Sequence, residues 1–184
     1  RFLLSSSAPG LIATSTSNLY QNVYDNTKWN LSVRIKPSEY PLTGLVDSTT
    51  SNYIVELHGV QAEAGVVLEE FTVSQTIASP AAGFITGSRR AYIGAHRENF
   101  TGAVLSTSDI KVNGCRYWLD YLEDTTLRAH ILDTENIGAL QPHLYAYPFN
   151  PSASFTGDIS KFDTLVFAWG FLTNTGSNSN GQFT

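Results

Sequence analysis

The sequence predicts an all-β fold, an antiparallel two-sheet sandwich carrying one short helix, and three observations lead there. Apolar and polar residues alternate with a period of two from Trp29 to Pro37, the repeat that puts every second side chain on one face of a strand. Further strand-like runs recur along the chain with turn residues between them, which is the spacing of a sandwich. Composition agrees: hydrophobic residues make up 42% of the 184 and charged residues only 15%, so Ser, Thr, Asn and Gly must carry much of the surface. That length fits one domain over residues 1–184 with a sizeable core.

In chain order, Arg1-Phe2-Leu3-Leu4 reads like the middle of a strand. Trp29 to Pro37 then sets Trp29, Leu31, Val33 and Ile35 on one face and Asn30, Ser32, Arg34 and Lys36 on the other, a half-buried antiparallel strand. Ser38 to Asn52, with a proline and a glycine, is a long connection, and Tyr53 to Val60 is the next strand. A turn at Ala64-Gly65 leads to a strand over Val66 to Ile77, with Phe71, Val73 and Ile77 as its inward set. Ser79 to Ser88 is loop. Arg89 to Gly94 is expected as a strand, His96-Arg97-Glu98-Asn99 as an exposed loop, and Phe100-Thr101-Gly102 as the lead into another strand. Ile110 to Val112 adds a short strand ahead of Tyr117-Trp118. Asp124 to Asp133 is the one helical segment: Asp124 can cap its first amides, and Leu127 and Ile131 lie four apart on one face beside a half-buried His130. Ala139 to Asp158 suits an extended strap. Leu165 to Leu172 is either the last sandwich strand or, with 139–184 as a whole, the start of a neighbouring domain; an open strand this apolar needs a partner. The chain stops soon after Asn180-Gly181, a hairpin-favouring pair. Both ends read as interior to a longer chain, so a segment of a larger polypeptide is expected.

Several function classes are disfavoured. A net charge of −5 does not suit capture of a phosphate backbone, and no basic run exceeds Arg89-Arg90, so no nucleic-acid partner is expected. No stretch approaches the roughly 20 apolar residues of a membrane span, and no secretory signal is visible. The single cysteine, Cys115, excludes an intrachain disulfide and is expected as a buried thiol. There is no G-x-S-x-G elbow, no glycine-rich phosphate loop, and no H-x-x-x-H or C-x-x-C spacing among His58, His96, His130 and His143. No catalytic residues, metal ligands or cofactor are therefore assigned. Calcium alone stays open, since rim sites use scattered carboxylates and backbone carbonyls; Asp25, Asp47 and Asp109 sit in expected loops or strand ends.

Two places remain for ligand contact. Glu56 and His58 share a strand face at i and i+2, where a carboxylate beside a histidine can do acid–base work, the bland alternative being that both face solvent or pair with each other. Glu69 and Glu70, being adjacent, point to opposite faces. The His96, Arg97, Glu98, Asn99 loop offers donors, an acceptor and an amide on a connection held by a rigid scaffold. Its bland reading is an Arg97–Glu98 pair with Asn99 supporting the turn. Asn30-Leu31-Ser32 and Asn99-Phe100-Thr101 match the glycosylation acceptor pattern.

From about Val23 to Gly138 the chain resembles concanavalin A-like, laminin-G-type jelly rolls, through DNTKWNLSVRIKP, YIVELHGV, AYIGAHRENFTG and RYWLDYLEDTTLRAHILD. The third segment and RYWLDYL look most like lectin-like domains embedded in large bacteriophage or viral structural proteins. That resemblance implies a two-sheet jelly roll with a short helix after the last motif strand, in a virion or extracellular structural protein. It implies a non-enzymatic structural or glycan-binding module, partnered by other structural chains, by copies of itself, or by a glycan. A calcium-dependent secreted lectin and a jelly-roll glycan hydrolase are the alternatives. Such hydrolases carry an acid and a nucleophile on alternate strand positions, and this sequence has no E-x-D-x-E run.

Overall fold

The computed structural model describes residues 1–6, 11–40, 52–77, 90–99, 102–108, 110–133 and 164–170. Among the described residues most elements are strands in several antiparallel sheets, with one helix beside them. The chain divides into two compact units, one formed by Arg1–Gly87 with Asp120–Asp163 and the other by Ser88–Leu119 with Thr164–Thr184.

The first unit is built on a three-stranded sheet in the order β3 (Trp29–Pro37), β4 (Tyr53–Glu63), β5 (Val66–Ile77). Ahead of it, β1 (Leu3–Leu4) pairs with β2 (Ser15–Thr16). Ala64 and Gly65 join β4 to β5 with φ of +49° and +79°, the left-handed pair that a tight hairpin demands so that its twist matches the strands. The ladder slips once, between Gln61 and Ala62. The Val66–Ile77 strand stands as expected, with Phe71 and Ile77 buried and Val73 half-buried.

Alternation gives the sheet two working faces. One carries Ile35, Tyr53, Val55, Leu57, Val73 and Ile77, which pack with Leu4, Leu11 and Ile12. At the far end of that face Phe2 stacks on Phe71 at 4.9 Å and 22°, flanked by Tyr20 and Trp29. Gly59 lies directly beneath: a methyl group there would meet Phe71 Cζ at 2.5 Å and Leu31 Cδ2 at 3.1 Å. The opposite face carries Arg34, Glu56, His58 and Glu70, together with a small apolar cluster of Val60, Ala62 and Val67 against Ile131.

Ile131 belongs to α1 (Asp124–Leu132), whose buried residues Leu127, His130 and Ile131 follow the i, i+3, i+4 spacing. Asp124 is not its cap. Glu123 holds the N-cap position in extended conformation with no side-chain bond to the helix amides, and Asp124 sits in the first turn, where an acidic group favours the helix dipole. Its carboxylate is turned toward Arg34. At the other end Lys28 Nζ donates to the Ile131 carbonyl at 2.8 Å, a cation at the negative end of the dipole.

β3 departs from the half-buried pattern expected of it. Leu31 and Val33 are 52% and 66% exposed, while Arg34 on the polar face is only 7% exposed. Among the described residues the apolar face is packed at its ends, through Trp29 and Ile35, and α1 covers the polar face.

In the second unit β6 (Ala95–Arg97) pairs with β7 (Val104–Thr107), and β8 (Cys115–Trp118) pairs with β9 (Leu165–Trp169). The strand expected at Arg89 to Gly94 starts later, after Gly94 at φ +75° turns the chain. Residues 110–114, expected to include a strand at Ile110 to Val112, have no ladder. Leu165–Trp169 finds its partner in β8, with Val166 and Phe167 left exposed. The strap expected at Ala139 to Asp158 and the Asn180-Gly181 turn lie outside the described residues. No helix among the described residues is long and apolar enough to cross a membrane.

Candidate functional site

Glu56 and His58 point to the same face of β4, as their spacing requires, but they neither face solvent nor pair with each other. Register does the assembling. Arg34 on β3 lies directly opposite Glu56, and Glu56 opposite Ser74 on β5; Ser32 and Thr72 flank His58 in the same way. Cross-strand neighbours of opposite charge on one face are the unit of sheet stabilisation, and α1 with the segment before it closes over them.

Glu56 is 7% exposed and fully engaged. Arg34 Nη2 is 2.9 Å from Oε2 and Lys36 Nζ is 2.9 Å from Oε1, while the Tyr121 hydroxyl donates to Oε2 at 2.7 Å. Lys36 also reaches the Tyr121 hydroxyl at 3.2 Å, and both cations lie over the Tyr121 ring, at 4.8 Å for Arg34 and 4.7 Å for Lys36. Burial alone would raise the Glu56 pKa, but the hydrogen bonds from Lys36 and Tyr121 and the charges of Arg34 and Lys36 outweigh it and hold the carboxyl below its ordinary value. Glu56 is an anion at neutral pH. Arg34 is committed equally: its Nη1 donates to the Leu122 carbonyl at 2.9 Å and to Asp124 Oδ1 at 2.6 Å.

His58 is fully buried. Its Nδ1 lies 2.8 Å from Thr72 Oγ1 and 3.9 Å from Asp124 Oδ1, and its Nε2 lies 3.4 Å from Glu70 Oε1. Burial first, and then the Arg34 guanidinium, push its pKa below the usual histidine value against the opposing pull of Asp124 and Glu70. At neutral pH the ring is therefore uncharged, and the approach of Glu70 is not an ion pair. Glu70 is bound instead to Arg128, whose Nε and Nη2 are both 2.7 Å from Oε2. Three cations, Arg34, Lys36 and Arg128, thus match three carboxylates, Glu56, Glu70 and Asp124.

The second expected contact region, in the other unit, is less a loop than a hairpin end. His96 and Arg97 belong to β6, and Glu98 and Asn99 form the turn. Asn99 adopts φ +49° and its side-chain oxygen accepts from Arg90 Nη1. The Gly102 amide donates to the Glu98 carbonyl at 2.7 Å, and the Glu98 amide to the Ala103 carbonyl at 3.0 Å. His96 stands edge-on to Tyr92 at 5.0 Å. Among the described residues Arg97 and Glu98 form no ion pair; Asn99 does support the turn. Of the carboxylates considered for calcium, Asp25 lies in a turn closed by its own amide on Asn22, and Asp47 and Asp109 lie outside the described residues.

Sequence reasoning missed Arg34, Lys36, Glu70, Tyr121 and Asp124 as members of the cluster. One signal was present: charges on alternate positions of two strands, Arg34 and Lys36 in one and Glu56 and His58 in the next. Nothing local reveals that Tyr121 and Asp124, more than 60 positions away, complete it. Comparisons of the chain with protein-family models, with curated proteins and with solved structures find no match.

Proposed function

We propose that the chain is a non-catalytic structural or glycan-contacting module of a larger virion or extracellular structural protein, on a concanavalin A-like jelly-roll plan. The observation that supports this reading is the closure of Glu56. A jelly-roll glycan hydrolase needs one carboxyl group kept protonated as general acid, and a second placed across the scissile bond. Glu56 has the opposite tuning, an anion locked between two cations and a phenol beneath a helix. The neighbouring carboxylates Glu70 and Asp124 are each engaged by a guanidinium. Such a charge-matched cluster serves to fix where the helix docks on the sheet, and contact with partners then falls to exposed parts such as the turn at Glu98 and Asn99.

The test is to incubate the full chain and Glu56→Gln with a panel of polysaccharides while following unfolding in urea. Neither protein is expected to release sugar, and the variant is expected to unfold at lower urea. Hydrolysis by the wild type that disappears in the variant overturns the reading.

A further inference from the structure

His58, Glu70 and Asp124 converge from β4, β5 and α1, so that one ring nitrogen and one oxygen from each carboxylate lie within 4.8 Å of one another. Among the described residues this is the one such group of metal-ligating side chains. Its centre is a fully buried imidazole whose Nε2 has no hydrogen-bond partner. Nδ1 lies 2.8 Å from Thr72 Oγ1 and Nε2 3.4 Å from Glu70 Oε1; in the tautomer that carries its proton on Nδ1, Nε2 turns a bare lone pair toward that carboxylate. Two lone pairs facing each other in a buried place repel, and only a proton or a cation between them reverses the sign.

We propose that His58 Nε2, Glu70 Oε1 and a carboxylate oxygen of Asp124 form a binding site for one divalent transition-metal ion of the zinc class. Metal–ligand distances of about 2.0 to 2.2 Å in a tetrahedron separate neighbouring ligand atoms by about 3.4 Å, the spacing already present between Nε2 and Oε1. Asp124 adds an oxygen from the first turn of α1, where its side chain is about half exposed; its Oδ1 lies 3.9 Å from the other ring nitrogen, Nδ1, and one ligand atom from each of the three residues falls within 4.8 Å of the others. Supporting groups are in place: Thr72 holds the imidazole through Nδ1, Arg128 holds Glu70 through Oε2 and leaves Oε1 turned inward, and Arg34 orients Asp124. Such outer partners orient ligands in established metal sites. The imidazole ligand selects against calcium and magnesium, hard cations that take oxygen donors.

This site does not depend on the scaffold reading above. The experiment treats the full chain with chelator and titrates it with Zn²⁺, Co²⁺ and Ca²⁺, following melting temperature and, for Co²⁺, visible absorption. A ligand of the native state raises the melting temperature, so Zn²⁺ and Co²⁺ are expected to raise it, Co²⁺ with the intense band of a four-coordinate ion, and Ca²⁺ to leave it unchanged. Because His58→Ala opens a hole in the sheet, the deciding variants are Glu70→Gln and Thr72→Val, at more accessible positions. Glu70→Gln is expected to abolish the shift and Thr72→Val to weaken affinity about tenfold or more. Absence of any Zn²⁺ or Co²⁺ shift in the wild type, an equal shift in Glu70→Gln, or an equal response to Ca²⁺ overturns the proposal.

Discussion

At Glu56 a single proton's worth of charge decides whether Arg34 is stabilised or stranded. Removing one partner of a buried ion pair leaves the other charge desolvated and uncompensated, a cost of about 3 kcal/mol. Glu56→Gln is expected to cost that much in denaturant unfolding, and the double variant Arg34→Met with Glu56→Leu to recover most of it, because neither charge is then buried alone. Acid acts at the same point. The Glu56 carboxyl titrates below its ordinary value of 4.5 in the fold, so its contribution is complete above the unfolded-state value and is lost as pH falls through the folded one. Unfolding midpoints of chelator-treated protein should therefore drop between pH 5 and pH 3 in the wild type by more than in Glu56→Gln. Cys115 offers a contrast in the other unit: burial raises its thiol pKa above 9.0. Since the thiolate is the nucleophile, alkylation at pH 7 is expected to be slow in the folded protein and to quicken in denaturant.

Among the elements, the β4–β5 hairpin carries two positions where backbone and side chain disagree in opposite senses. Ala64 holds φ +49°, a conformation that favours Asn or Gly in this turn, so Ala64→Asn is expected to stabilise by about 0.5 to 1 kcal/mol, read as a higher urea midpoint. Gly59 accepts the Phe71 ring against its backbone, and Gly59→Ala is expected to cost about 1 to 3 kcal/mol by overpacking. These elements also mark what the sequence could display. β3, β4 and β5 were legible because their own alternation sets their faces. The strand expected at Arg89 to Gly94 was misplaced because Tyr92 and Ile93 have strand character, whereas pairing begins only after the turn at Gly94. β8 was partly legible, as Tyr117-Trp118, but its partner at Leu165 to Trp169 is some 50 positions distant, so the ladder joining them was not. Glu56 and His58 were found by their shared face. Their burial was not, because it depends on a helix that approaches from elsewhere in the chain.

For the molecule as a whole, protection should follow the central strand. β4 is paired on both sides and holds Val55, Glu56, His58 and Val60 out of solvent, whereas every residue of β7 is exposed. Amide exchange is expected to be slowest in Tyr53–Glu63 and fastest in Val104–Thr107, since local opening tracks buried contacts; comparable rates in the two would contradict this description. The polar face of the sheet has one more consequence, for biosynthesis. The strands of this sheet are complete by Ile77, but among the described residues those that close over Arg34, Glu56 and His58 begin at Tyr121. A ribosome adding about 5 to 20 residues per second leaves that face uncovered for seconds. A nascent sheet waiting with a greasy surface invites collision with its neighbours on the polysome. Arginine, lysine and glutamate keep it wet until the helix emerges.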